Sequence, residues 1–335
     1  MIIPFFIPHS GCPHQCVFCN QKNITGQKQP VAPSSIPGTI DAYLTTAPEK
    51  APVQVAFYGG SFTALPQETQ KTYLEAVRPF IDSGRIESIR LSTRPDCISA
   101  DILELLLAGR VRTVELGAQS LDDRVLLLSG RGHRAEDTVR AVAMLKDFGM
   151  ETGVQLMPGL PGDSETIFSE TVARVIALRP SFVRLYPALV IKGTPLAELY
   201  REGRYKPLSL DEATDRCSDA LRKFAGAGIG VIRIGLQPTE ELEKPGTILA
   251  GPYHPAFRQL VESSLLLGKM KELLEGPRPP DAAVTFFVHP RDLSAAVGQK
   301  RSNIAALKSQ YGLQTVQVRA DESLSRRTVK LSGGK

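Results

Sequence analysis

Three of the five cysteines, Cys12, Cys16 and Cys19, fall within the stretch HSGCPHQCVFCNQ (9–21) at the spacing C-x3-C-x2-C. Thiolates are soft ligands suited to zinc or to iron–sulfur centres. A structural zinc site closes with four ligands, and His9 or His14 could complete one here. An iron–sulfur cube held by three thiolates leaves one iron open, so an electron could pass directly into whatever binds there. The three cysteines alone leave both readings open. Cys97 precedes a helical pattern and Cys217 lies within one, spaced with nothing, so both read as packing cysteines. Five unevenly placed cysteines make no disulfide framework, and a reducing cytoplasm is the expected setting.

A loop of ligands needs a scaffold. Short apolar runs recur at 2–7, 53–60, 86–92, 111–117, 152–157 and 182–187, and helical patterns lie between most of them. One such helix is expected to start at Ser164, with an acid in its first turn. Strands alternating with helices of this length imply an α/β fold on a parallel sheet, here a partial (β/α)6 barrel of the TIM type. In such sheets chemistry collects in the loops beyond the C-terminal ends of the strands. The cysteines follow the first strand, GGSF the second, STRPD the third, QS the fourth and PGLPGD the fifth. Every unusual motif therefore falls at one edge. No run reaches the ~18–20 apolar residues of a membrane span, and the N-terminal residues MIIPFFIPHSG read as a first strand rather than a signal peptide.

C-x3-C-x2-C with Phe18 before the third cysteine, after the first strand of a βα barrel, resembles the radical S-adenosylmethionine (SAM) superfamily over roughly residues 1–240. The resemblance implies a [4Fe–4S] cluster on Cys12, Cys16 and Cys19, whose open iron chelates SAM. Reductive cleavage of SAM would then give a 5′-deoxyadenosyl radical that abstracts hydrogen from a substrate. It further implies a cofactor site. Gly59, Gly60 and Ser61 occupy the glycine-rich position of the second strand, Ser61 standing where many relatives carry Glu or Thr. Ser92 stands where coproporphyrinogen-dehydrogenase-type members are acidic, followed by Thr93 and Arg94. VELGAQSLDD resembles those members' GVQS segment, so Gln119 is expected at the ribose with Glu115 and Ser120 nearby. Arg131 in GRGH matches an arginine that reaches the cofactor carboxylate, and Gln155 a polar residue of the fifth strand. His133 and Arg134 read equally well as exposed loop residues. The strings IPFFIPHSGCPHQCVFCNQKNITG, AFYGGSFTALP and LVIKGTPLAELYREGRYKPLSLDEA resemble the branch containing the radical domain of the Elongator catalytic subunit.

Charge separates the end of the chain from the rest. The net charge is +5, and residues 277–335 hold ten Lys/Arg against four Asp/Glu, leaving the body nearly neutral. The expected division is a radical SAM barrel over 1–245, a helical bridge over 246–276 and a small basic α+β domain over 277–335, with GPRPP (276–280) as linker. VHPRDLSAAVGQKRSNIAALKSQYGLQTVQV resembles a KH domain, with Gly298, Gln299, Lys300 and Arg301 as the phosphate-clamping loop and Arg301 where the family has its second glycine. Tyr253, His254 and Arg258 are candidate substrate-side residues or simple packing groups. These features lead to a radical enzyme acting on RNA, most naturally transfer RNA, served by a reductant protein such as flavodoxin or ferredoxin, with neither membrane nor DNA partner. A radical enzyme for a small molecule or tetrapyrrole, and a non-catalytic zinc module, are the alternatives.

Overall fold

The computed structural model describes residues 1–27, 29–47, 52–275 and 283–332, and the linker expected at 276–280 lies outside them. Seven strands form one all-parallel sheet: β1 (Ile2–Phe6), β2 (Gln54–Tyr58), β3 (Ser88–Thr93), β4 (Val111–Gln119), β5 (Glu151–Leu156), β6 (Phe182–Leu185) and β8 (Gly230–Ile234), in that spatial order. β7 (Val190–Ile191) pairs antiparallel with β9 (Ile248–Ala250) in a separate ribbon. The main sheet has the α/β, partial-barrel architecture expected, with one more strand than the six βα units. β8 comes from GVIRIGLQP, a short β-branched run beyond the six units. Its parallel pairing to β6 (Val183↔Val231) recruits it to the sheet.

Apolar side chains alternate along the central strands and line one face of the sheet, while Arg90, Glu115, Gln155 and Arg184 point to the other. Val55, Phe57, Ile89, Leu91, Val114, Leu116, Val154 and Val183 are all buried. Helices Gln67–Asp82, Ala135–Asp147 and Glu165–Leu178 cover the sheet through Tyr73, Val77 and Phe80, through Val142 and Leu145, and through Phe168, Val172 and Val175. Ser164 caps the last of these, its hydroxyl accepting from the Ile167 amide at 3.2 Å. The Phe of GGSF anchors the loop after β2: the Phe62 ring lies 5.2 Å from Phe57 and 6.2 Å from Tyr73. Burying that ring stabilises the loop by roughly 2–3 kcal/mol, which holds the glycines beside it in place.

Four strands are also joined by charge. Glu115 on β4 pairs with Arg90 on β3 at 2.8 Å and with Arg184 on β6 at 2.6 Å. Tyr58 on β2 donates to the same carboxylate at 3.2 Å and accepts from Arg184 at 2.9 Å. Arg184 also donates to Tyr186, and Arg90 to Gln54. Burial, with the Glu115 charge adding to it, pushes the Tyr58 phenol up to about 12.

The chain divides into two compact units, the first comprising Met1–Ser209 with Phe224–Tyr253, the second Leu210–Lys223 with the described residues from His254 onward. In the second, β10 (Ala283–Val288) pairs parallel with β11 (Thr315–Ala320) and antiparallel with β12 (Val329–Leu331). Helices Leu293–Val297 and Ser302–Tyr311 lie between β10 and β11 in sequence. Helix Phe257–Leu273 supplies Leu266 and Met270 to a core shared with Val284, Phe286, Val288, Ile304 and Leu307. Among the described residues no helix is long and apolar enough to cross a membrane.

Candidate functional site

The loop carrying the cysteines lies backbone to backbone on the loop after β2. Ser61 N donates to Ser10 O at 2.8 Å. The approach is so close that a Cβ on Gly11 would stand 2.3 Å from the Ser61 carbonyl oxygen, and one on Gly60 2.3 Å from that of Ser10. Both glycines also hold positive φ, at 70° and 59°, so two independent constraints exclude larger residues. On its other side the loop is fixed to the segment after β4: Val17 N donates to Ser129 O at 3.1 Å. Phe18 fills the space beneath, partly buried against the Val190–Leu196 and Val125–Leu160 clusters.

Arg131 joins the cysteines to the sheet. Its Nη1 donates to the Cys16 sulfur at 3.1 Å and its Nη2 to the Gly117 carbonyl. Cys12 and Cys19 lie close enough to Cys16 that ionising one thiol opposes ionising the next. Burial is the larger effect: it pushes Cys19 up to about 12, with Cys16 and Cys12 adding and Arg131 and Gln21 opposing. Cys12 is raised for the same reasons, against Arg131 and Arg94. Such thiols stay protonated until something displaces the proton, which is how a metal centre binds.

The donor set can be tested against what it would hold. A tetrahedral zinc ion needs sulfurs ~3.8 Å apart, as its ~2.3 Å Zn–S bonds dictate. Among the described residues no three His, Cys, Asp or Glu side chains are gathered tightly enough for a single ion. A cluster takes each thiolate on a different iron and spans a wider triangle. Three thiols within electrostatic range of one another, one receiving a guanidinium, are soft donors of the kind such a cluster takes.

Around them stand most of the other residues picked out by motif. β4 places two residues, Gly117 and Ala118, between Leu116 and Gln119 opposite one of β5, Gln155, a bulge at which Gln119 holds φ 70°. Such a bulge re-aims a side chain at the cost of local strain. Gln155 Nε2 then donates to Gln119 Oε1 at 3.1 Å, so these two candidates meet. Gly117, which motif reading passed over, has the Gln119 amide and the Arg131 guanidinium over it: an added Cβ would lie 3.0 Å and 3.5 Å from their nitrogens. Its only signal was an isolated glycine within a strand pattern.

Ser61 is fully buried. Its hydroxyl meets Thr93 Oγ1 at 2.9 Å and accepts from the Arg94 amide at 3.2 Å. Ser92 sits beside Glu115 in the β3–β4 register, and the Glu115 carboxylate is engaged by Arg90, Arg184 and Tyr58. Arg94 forks onto Asp96 at 2.9 and 2.8 Å. Cys97 departs from its expected role as remote packing: its thiol lies at Ser61 and Arg94, near Cys12. Cys217 is buried and inert, its thiol driven far up by desolvation. His133 and Arg134 part company. Arg134 is exposed, whereas His133 is buried, and neither His133 ring nitrogen has a hydrogen-bond partner among the described residues. Desolvation, with Arg131 and Arg94 adding, lowers its pKa to about 4.

Tyr253 donates to Glu243 in the first unit. In the second, His254 accepts from the Ala256 amide and Arg258 pairs with Glu262, so these candidates serve local packing. Lys300 and Arg301 follow Gly298 and Gln299, are exposed, and both hold left-handed backbone before helix Ser302–Tyr311. Asn303 Nδ2 anchors that helix to the carbonyls of Ser263, Ala295 and Ala296.

Comparison with known proteins agrees with this geometry. The curated relatives include a tRNA uridine(34) acetyltransferase of Methanocaldococcus infernus, 30% identical over 62% of this chain and 47% of that protein. One of the same name from Dehalococcoides mccartyi is 39% identical over 37% of this chain and 28% of that protein. Elongator complex protein 3 of Bos taurus is 28% identical over 60% and 45%. The chain spans about half the length of the first of these relatives. The solved structure of the archaeal M. infernus Elp3 with an N-terminal deletion shares the fold, with TM-score 0.61, 24% identity, and coverage of 81% of this chain and 63% of that one. The radical SAM C-terminal domain matches residues 180–266. The radical SAM superfamily matches residues 6–175, the span that holds the three cysteines and every strand-edge motif around them, and the chain belongs to that superfamily.

Proposed function

We propose that the chain is a radical SAM enzyme of RNA modification, holding a [4Fe–4S] cluster on Cys12, Cys16 and Cys19 and SAM beside it. The observation that carries this reading is the group of three thiols in one C-x3-C-x2-C loop, seated at the strand edge with Arg131 donating to Cys16. The cluster with SAM would supply one-electron cleavage of the cofactor and hence a carbon radical able to abstract hydrogen. The chain's own residues do the holding. Gly59 and Gly60 bring side-chain-free backbone against the cysteine loop, the Gln119–Gln155 pair presents amide groups for a ribose, and Arg131 steadies a thiolate and offers charge to a carboxylate. A flavodoxin- or ferredoxin-type protein would deliver the electron.

Transfer RNA as substrate rests on the relatives' names together with the basic second unit. Gly298, Gln299, Lys300 and Arg301 form a KH-like turn, buried at Gly298 and exposed at Lys300 and Arg301, whose charges suit phosphates. Acetyl transfer is left aside, because the match covers 47% of the acetyltransferase.

The test is anaerobic reconstitution followed by incubation with reductant, SAM and transfer RNA. Four irons and four sulfides per chain, 5′-deoxyadenosine and a new nucleoside mass support the proposal. One zinc and no 5′-deoxyadenosine would overturn it. If Lys300→Ala with Arg301→Ala leaves the salt dependence of RNA binding unchanged, rather than about two units shallower, the RNA role of this turn fails.

A further inference from the structure

One side chain joins the two halves of the site. Gln21 is the second residue after Cys19, at the start of helix Gln21–Thr25. Its Oε1 accepts from His9 N at 2.5 Å and from Gly60 N at 2.7 Å. The Gln21 backbone N donates to His9 Nε2 at 3.1 Å. Because both partners of Oε1 are backbone donors, the oxygen is fixed there and the side-chain amide nitrogen is left free to donate elsewhere; a hydrogen bond from the Gln21 side chain is among the influences that favour ionising the nearby Cys19 thiol. His9 and Gly60 both have positive φ, at 56° and 59°, so neither N–H belongs to a strand ladder. Beside the Ser61 N–Ser10 O bond, one side-chain oxygen therefore ties the turn after β2 to the turn after β1, from a residue two positions after Cys19.

We infer that Gln21 is a positioning residue, which fixes the Gly59–Gly60 turn for SAM with its oxygen and the Cys19 sulfur with its nitrogen. The inference rests on the proposed cluster-and-SAM reading. It assigns two separable tasks to one amide, and two substitutions divide them. Gln21→Ala removes both. Gln21→Glu keeps an oxygen for His9 N and Gly60 N but replaces the donor facing Cys19 with a carboxylate oxygen.

The experiment reconstitutes wild type, Gln21→Ala and Gln21→Glu anaerobically. It measures iron and sulfide, SAM affinity, the change SAM causes in the electron paramagnetic resonance of the reduced cluster, and the reduction potential. Gln21→Ala is expected to keep its iron, since all three cysteines remain, while SAM binds at least tenfold more weakly and the spectral change disappears. Gln21→Glu is expected to bind SAM within about threefold of wild type, with a potential lower than wild type because negative charge beside a thiolate favours the oxidised cluster. Wild-type SAM affinity in Gln21→Ala, or equal loss in Gln21→Glu, overturns the inference. If Gln21→Ala fails to hold iron, Gln21→Glu decides alone: retained affinity with lowered potential supports the two tasks, and lost affinity overturns them. A wild-type chain that takes no four-iron cluster, or shows no SAM-dependent spectral change, sinks the underlying reading and this inference with it.

Discussion

The Arg90–Glu115–Arg184 network and the Cys16–Arg131–His133 group are both buried, both polar, and both built around β3, β4 and the loops that follow them. In the first, every charge has an ion-pair partner: Glu115 lies 2.8 Å from Arg90 Nη2 and 2.6 Å from Arg184 Nε, contacts that are close without hydrogen-bond alignment, and tyrosines take up further donors and acceptors. In the second, Arg131 Nε and both nitrogens of His133 have no hydrogen-bond partner among the described residues, and burial raises the pKa of the neighbouring Cys12 and Cys19 thiols. A satisfied polar network stiffens a fold, whereas unsatisfied buried groups have to be explained by something that binds them. The difference separates what holds the barrel from what the barrel holds.

The largest expected effect falls on the unsatisfied group. Cys16→Ala should lower bound iron after reconstitution and reduce 5′-deoxyadenosine formation to background, yet change the stability of the metal-free chain by under about 1.5 kcal/mol. Parallel iron assays and thermal melts give both readings. Collapse of the metal-free fold would erase the distinction between the two regions. Glu115→Ala should do the reverse. Removing the acid strands two buried guanidinium groups, at an expected loss of about 3–5 kcal/mol in urea denaturation. If stability instead survives and only SAM affinity falls, Glu115 is a cofactor residue, and the network belongs with the site.

Acid should weaken the second region through His133. Its ordinary pKa of 6.5 applies to the unfolded chain, and the folded value is about 4. Between those values the unfolded chain binds more protons, so stability is full above pH 6.5 and falls as pH drops toward 4. The loss amounts to roughly 3 kcal/mol at pH 4. In the metal-free chain, His133→Leu should flatten this part of the profile relative to wild type. An unchanged difference between pH 7 and pH 4.5 would show that the imidazole is not held neutral.

The sequence made the edge legible because the βα alternation orders the strands and the cysteine spacing marks the first loop. It could show that Glu115 sits on an apolar strand, but not that Arg90 and Arg184 would reach it from strands on either side, since those contacts depend on register. Gln21 carried no signal either. Its role comes from two positive-φ turns brought together by tertiary contact, and a glutamine after a cysteine says nothing of that. β8 was visible as a strand but not as a member of the sheet, because short strands do not declare their partners. His133 looked like a loop residue beside Arg134. Burial alone set them apart, and burial of a loop is decided by what packs over it.

The smallest effect tests how finely the site is fitted. Gly117→Ala adds one methyl beneath the Gln119 amide at 3.0 Å and the Arg131 guanidinium at 3.5 Å. Both neighbours are ends of flexible side chains, so each yields by a few tenths of an ångström and overall stability should change by less than about 1 kcal/mol. Binding is less forgiving, because a donor displaced from its cofactor atom loses affinity steeply. Titration calorimetry on the reconstituted chain should show SAM binding weakened about three- to tenfold, with the melting temperature nearly unchanged. Were the loss to appear in stability and not in affinity, Gln119 and Arg131 would be packing groups like those around Glu115, and the line between the two regions would have to be redrawn on the other side of Gly117.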